Sequence, residues 1–153
     1  MTVHIELDDL TRPAVHRLLA DHLADMHATS PAESVHALDL SGLRRPDVTM
    51  WTLWDDDALL GCVAVRELSP VDGELKSMRT VAEARGRGLG RLLLEHVIAE
   101  AQRRGYRRLS LETGSQDFFA PARRLYARHG FTECPPFGDY TLDPNSVYMT
   151  REV

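Results

Sequence analysis

Between Arg85 and Arg91 the chain places three glycines and three arginines in seven consecutive positions, Arg-Gly-Arg-Gly-Leu-Gly-Arg, directly ahead of a leucine-rich run. Glycine lets a ligand come close to main-chain amides, and the first turn of a helix offers unpaired N–H groups at the positive end of its dipole. Those residue types in that order make a cradle for an anion, with an ordinary tight turn as the plain alternative. Two common phosphate loops do not fit. A Walker loop requires Gly-Lys-Ser/Thr, a triplet this sequence lacks. A dinucleotide fingerprint requires Gly-x-Gly-x-x-Gly, and Arg91 stands where the third glycine belongs.

The rest of the composition narrows the anion. The chain has 153 residues, 43% of them hydrophobic, and a formal net charge of −5. That length supports one globular domain, residues 1–153, with a sizeable core. An acidic balance argues against general nucleic-acid binding, which needs a broad basic footprint. The arginines are concentrated between Arg79 and Arg108, a local patch suited to a small polyanion. Cys62 and Cys134 lie far apart in apolar stretches and read as reduced core residues. No signal peptide, long apolar span or low-complexity tail is evident, so a cytoplasmic protein with no membrane partner is expected. The histidines lack the clustered carboxylates or cysteines of a metal site, and no metal is expected.

The elements that must hold the glycine loop follow from periodicity. Val3, Ile5 and Leu7 alternate as a first strand. Thr11 can cap a helix with Pro13 in its first turn, whose apolar face is Val15, Leu18, Leu19, Leu23 and Met26. Ser30-Pro-Ala-Glu33 has the form of a capping box, which predicts a second helix running towards Leu40. Val48 to Leu68 reads as two strands joined by an acidic turn, an antiparallel hairpin. Gly73 to Val81 is a strand that delivers the chain into the glycine loop. Leu89, Leu92, Leu93, Val97 and Ala101 keep helical spacing until Gly105 stops the helix. A strand over Arg107–Gly114, a helix over Phe118–His129 and two closing strands complete the chain. The predicted order is βααβββαβαββ: an α/β (α+β) fold with a mixed, mostly antiparallel sheet of six to seven strands and about four helices.

The segment Arg85-Gly-Arg-Gly-Leu-Gly90 resembles the Arg/Gln-x-x-Gly-x-Gly/Ala signature of the GNAT superfamily of N-acetyltransferases, which binds the pyrophosphate of acetyl-CoA. Ala122 to Phe131, Ala-Arg-Arg-Leu-Tyr-Ala-Arg-His-Gly-Phe, is similar to the family's second motif, Ala-x-x-Leu-Tyr-x-x-x-Gly-Phe. The two motifs stand in the family's order, and the predicted elements follow it almost end to end. One departure is visible: Phe119 occupies a position where the family often has asparagine.

The resemblance implies a function and a site. The activity is transfer of an acetyl group from acetyl-CoA, the acetyl donor, to a primary amine by direct attack in a ternary complex. The amine belongs to a small molecule or a peptide. Met78, Thr80 and Val81, on the strand before the loop, are implied to present backbone groups to the pantetheine arm. A free N–H near Met78 would face the thioester oxygen. Arg85, Gly86, Arg87, Gly88, Leu89, Gly90 and Arg91 are implied to hold the pyrophosphate. Tyr126 matches the tyrosine that donates to the departing sulfur, and Glu74 is the first choice for the base, with His36, Glu112 and Asp139 behind it. His36 and the loop Pro135–Asn145, with Asp139 and Asp143, are implied to line the acceptor pocket. Family members often form homodimers, so a homodimer is one expected state. Two other readings remain open: an acyl-CoA-binding sensor without catalysis, and a phosphate- or nucleotide-binding module.

Overall fold

In the computed structural model, which describes residues 2–153, the two faces of one sheet divide the apolar residues between two sets of helices. Strand β1 (Val3–Leu7) leads into helix α1 (Pro13–Thr29) and the single-turn α2 (Leu40–Leu43). Three strands follow, β2 (Val48–Asp55), β3 (Ala58–Ser69) and β4 (Asp72–Thr80), then helix α3 (Leu89–Arg103). The chain ends with β5 (Arg108–Gly114), α4 (Ala120–Arg128), β6 (Thr132–Glu133) and β7 (Ser146–Glu152). The sheet order is β1-β2-β3-β4-β5-β7-β6, antiparallel throughout except for the β4–β5 pair. This is the mixed α/β arrangement that the sequence predicts.

β3 shows why its sequence is a continuous apolar run and not an alternation. Val63 and Val65 face α3, where they meet Leu93, Leu94 and Val97. Cys62 and Ala64 face the other way, against Val15, Leu18 and Leu19 of α1. With both faces covered, the side chains from Leu59 to Val65 are all apolar. Both cysteines are free thiols, and Cys62 is fully buried.

The second helix is the main difference from the predicted elements. Ser30 does not start a helix. The segment makes a 3-10 turn at Ala32–Ser34, runs extended, and forms only the turn Leu40–Leu43, which the Asp39 side chain caps by accepting from Gly42 N at 2.8 Å. Tertiary bonds outcompete the capping box. The Ser34 hydroxyl donates to Asp143 Oδ2 at 2.6 Å, and the His36 carbonyl accepts from Lys76 Nζ at 3.2 Å. These ties hold Ser34 and His36 in the extended path of the chain instead of a helical one.

Candidate active site

β4 and β5 pair only from Asp72↔Arg108 to Leu75↔Leu111. Beyond that point each keeps its outer neighbour: β4 stays on β3 as far as Thr80↔Gly61, and β5 stays on β7 as far as Gly114↔Ser146. The two strands therefore part in mid-sheet. A bulge in β4 turns it away, since the register jumps from Ala64↔Lys76 to Cys62↔Arg79, leaving Ser77 and Met78 opposite Val63 alone. Ser77, in this bulge, takes a left-handed conformation (φ 52°). On the far side, a Cβ on Gly114 would stand 2.1 Å from the Phe119 ring, so only glycine lets that ring close against β5.

The parted strands open a cleft of ≈ 700 Å³. One end is the glycine loop. Gly86 (φ 82°) and Gly88 (φ 77°) are left-handed, and the space a Cβ would occupy at either is open. Gly88 is the N-cap of α3, so the first amides of that helix have no intrahelical acceptor. Arg85 and Arg91 line the same end of the cleft.

Midway along, Tyr126 of α4 lines the cleft while its ring packs on Phe131 at 6.0 Å between centroids. Burial, reinforced by the nearby charge of Glu112, raises its pKa, so the phenol stays protonated and can only donate to an anion. Glu112 follows the last β4–β5 pair and is half-buried on the cleft wall. Burial is the main cause that pushes its carboxyl up to about 7; Glu74 and Asp143 add to the rise, and Lys76 opposes it.

The other end is a buried polar knot. Glu74, 2% exposed, accepts from the Tyr140 hydroxyl at 2.5 Å and pairs with Lys76 at 3.3 Å. Lys76 Nζ also donates to the Tyr140 oxygen at 2.9 Å and to the His36 carbonyl at 3.2 Å. An ammonium has three donors, and all three are engaged. The His36 ring meets Tyr140 edge-on at 4.9 Å, and burial, then the charge of Lys76, lowers its pKa. Among the described residues no cluster of His, Cys, Asp or Glu is placed to hold a metal ion, and no helix is long and apolar enough to cross a membrane.

Residues 13–131 match the model of the acetyltransferase (GNAT) family. The chain belongs to this family. It is similar to the uncharacterized N-acetyltransferase YsnE of Bacillus subtilis (strain 168), at 51% identity over 99% of this chain and 100% of that protein. Its fold matches a Klebsiella pneumoniae protein assigned as an acyl-CoA N-acyltransferase, with a TM-score of 0.80, 26% identity and coverage of 99% and 97% of the two chains. It also matches a GNAT acetyltransferase from Elizabethkingia anophelis solved with acetyl-CoA bound, with a TM-score of 0.70, 17% identity and coverage of 99% and 98%.

In this GNAT chain the cleft gathers Glu74, Met78, Thr80, Arg85, Gly86, Gly88, Gly90, Arg91, Tyr126 and His36 from among the residues singled out by sequence. Five others stand apart, among them Asp143, whose carboxylate accepts from Ser34 Oγ and Asn145 N outside the cleft lining. Leu89 is a core side chain, 3% exposed. The Val81 amide is already used by Leu60 O at 2.8 Å, and its side chain packs on the core. Arg87 donates to the Glu83 carbonyl at 3.2 Å and lies outside the cleft lining. Asp139 is exposed at the tip of the turn that Tyr140 N closes onto Phe137 O at 3.1 Å, and that turn sends Tyr140 inward instead. Lys76, Tyr140, Ser34 and Asn145 carry no local motif. Apart from the Lys76–Glu74 pair, two residues apart, the bonds that bring them together span 40 to 111 residues, beyond the reach of spacing rules.

Proposed function

We propose that this chain moves the acetyl group of acetyl-CoA to a primary amine by direct attack in a ternary complex. The observation that carries this reading is the parting of β4 from β5. It leaves two strand edges facing one gap, with an anion cradle at one end and a phenol and a carboxyl at its centre. Acetyl-CoA fits these features: its pyrophosphate suits the α3 amides with Arg85 and Arg91, and its pantetheine amides suit the unpaired β4 edge. When bound it supplies an acetyl thioester.

The chain's own residues divide the work. The amides around Gly86–Gly90 hold the phosphates, with Gly88 allowing close approach. The Met78 N–H, in the bulge and without a register partner, is assigned to the thioester oxygen, where negative charge develops. Glu112 takes the proton that the nitrogen sheds as the N–C bond forms and the C–S bond breaks. Tyr126 hydrogen-bonds the sulfur, which leaves as a thiolate and collects a proton from water. Glu74 is the weaker base because Lys76 and Tyr140 already engage its carboxylate oxygen. Placing the base on Glu112 revises the first choice made from sequence.

Two measurements test the reading. Acetyl-CoA should raise Tm by mass action where equal ATP or NAD does not, and a panel of amines should release free thiol. Equal stabilisation by all three nucleotides refutes it. Stabilisation by acetyl-CoA without turnover on any amine points instead to a sensor.

A further inference from the structure

A half-buried carboxyl that works as a base needs something to aim it, and the cation nearest Glu112 does not. Lys76 acts on Glu112 through charge alone, because its three donors go to Glu74, Tyr140 and the His36 carbonyl. The pairing of β5 with β7 supplies another group. Glu112 stands opposite Tyr148, and Gly114 stands opposite Ser146, so these four residues share one face of the sheet. Ser146 is thus the diagonal neighbour of Glu112, a separation that a long side chain spans. Gly114, directly opposite Ser146, brings no side chain of its own to the hydroxyl.

That hydroxyl is unspent. Ser146 Oγ is buried and completes no hydrogen bond among the described residues, a state that few buried hydroxyls keep. Its approach to Glu112 already holds that carboxyl down against burial, more than the charge of Lys76 does. The other groups that face Glu112 offer it no proton. Tyr148 gives its own to the Thr141 carbonyl at 2.7 Å, and Tyr140 gives its own to Glu74. Glu74 and Asp143 are carboxylates that accept, and Tyr126 of α4 meets Glu112 through charge.

Resting on the acetyltransferase reading above, with Glu112 as its base, we propose that Ser146 is the positioning residue for that base. The Ser146 hydroxyl donates to one oxygen of the ionised Glu112 carboxylate and leaves the other directed at the acceptor nitrogen. A hydrogen bond to a charged acceptor is about twice as strong as one to a neutral group, so this bond tightens in the state that takes the proton. The serine keeps its own hydrogen throughout. The proton shed by the nitrogen goes to the free oxygen of Glu112, and the N–C and C–S bond changes are those given above.

The test follows kcat/KM against pH, by thiol release from acetyl-CoA with one amine throughout, in Ser146→Ala and Ser146→Thr. In Ser146→Ala the rising limb should move up by about one pH unit, a loss of about tenfold at pH 6. The plateau above it should fall several-fold, because the carboxylate is no longer aimed. Ser146→Thr keeps a hydroxyl at a strand position and should restore the wild-type limb within a few-fold. In a Glu112→Gln background, Ser146→Ala should cost less than about twofold, since the group it positions is gone. Melting reads the same link without turnover. The fall in stability as pH rises from 4.5 to about 7 should extend about one unit higher in Ser146→Ala, and not in Ser146→Thr. A Ser146→Ala limb that stays in place overturns this inference alone. So does a loss that Ser146→Thr fails to restore, that persists in full without Glu112, or that comes with early melting at every pH; each makes Ser146 a packing residue. A protein that acetyl-CoA does not stabilise and that acetylates nothing overturns the acetyltransferase reading, and the positioning role with it.

Discussion

Replacing Glu112 with glutamine should make the protein more stable and far less active, and pH separates the two effects. The carboxyl is pushed up to about 7 from an ordinary 4.5, chiefly by burial. The folded state therefore holds a proton that the unfolded chain releases, and stability falls as pH rises from about 4.5 through 7. At 1.36 kcal/mol per pH unit the full cost of ionising Glu112 is about 3 kcal/mol, and solvent reaching this half-buried side chain reduces it to on the order of 1–2. Glutamine keeps the shape and never ionises. At pH 8, Glu112→Gln should thus raise Tm by about 2–8 °C for a chain of this size, and the gain should vanish near pH 5. Over the same range, wild-type kcat/KM should climb about tenfold per pH unit below 7 and level off above it, as the base form fills. The variant should lose that climb together with about 10²–10⁴-fold in rate. Melting curves at pH 5 and pH 8, with a pH–rate profile, check both halves. A variant that melts earlier at pH 8, or that keeps the wild-type pH profile at comparable rate, refutes the assignment of Glu112 as the buried base.

Three further outcomes are expected. Tyr126→Phe keeps the ring packing on Phe131, so Tm and both KM values should hold while kcat falls by about 10²-fold, the low end of acid–base effects because only a hydrogen bond to the leaving thiolate is lost; an unchanged kcat makes the tyrosine a core residue only. Gly88→Asp forces a side chain into a left-handed site and adds negative charge at the α3 N-terminus, so acetyl-CoA should no longer raise Tm. Tyr140→Phe removes the 2.5 Å donor to buried Glu74 and should cost about 1–3 kcal/mol in denaturant unfolding, with a larger rise in KM for the amine than for acetyl-CoA.

What the sequence made legible was local. Gly88 ends a loop and begins a helix within a few residues, and Leu93, Val97 and Ala101 repeat on one helical face; spacing alone exposes such features. Tyr126 is legible because its motif is one continuous stretch, Ala122 to Phe131, covering most of α4 and the turn that ends it. The polar end of the cleft escaped because it is made mostly of long-range bonds. Nothing near Tyr140 announces a partner at Glu74, 66 residues away, and nothing near Ser34 announces Asp143, 109 residues away. The same bonds defeated the predicted second helix, since the capping box at Ser30–Glu33 is a local preference worth less than the ties that draw Ser34 and His36 across the cleft. Asp139 and Tyr140 are adjacent in sequence, yet one turn sends the first to solvent and the second onto buried Glu74.

The three donors of Lys76 set a rule for grafting. One holds Glu74 of its own strand, one the His36 carbonyl in the segment after α1, and one the Tyr140 oxygen in the loop before β7. Ser34 and Asp143 join those same two segments a second time. A chimaera that imports only the loop before β7 discards Tyr140 and Asp143 together, leaving Lys76 short of one acceptor and Ser34 without its carboxylate. Importing only the segment after α1 strands the opposite halves of the same bonds. On the acetyltransferase reading, this polar end of the cleft is therefore transplanted as a unit of two distant segments and one strand residue, and exchange of either segment alone should lose the pocket's fit to the acceptor amine before it gains a new one.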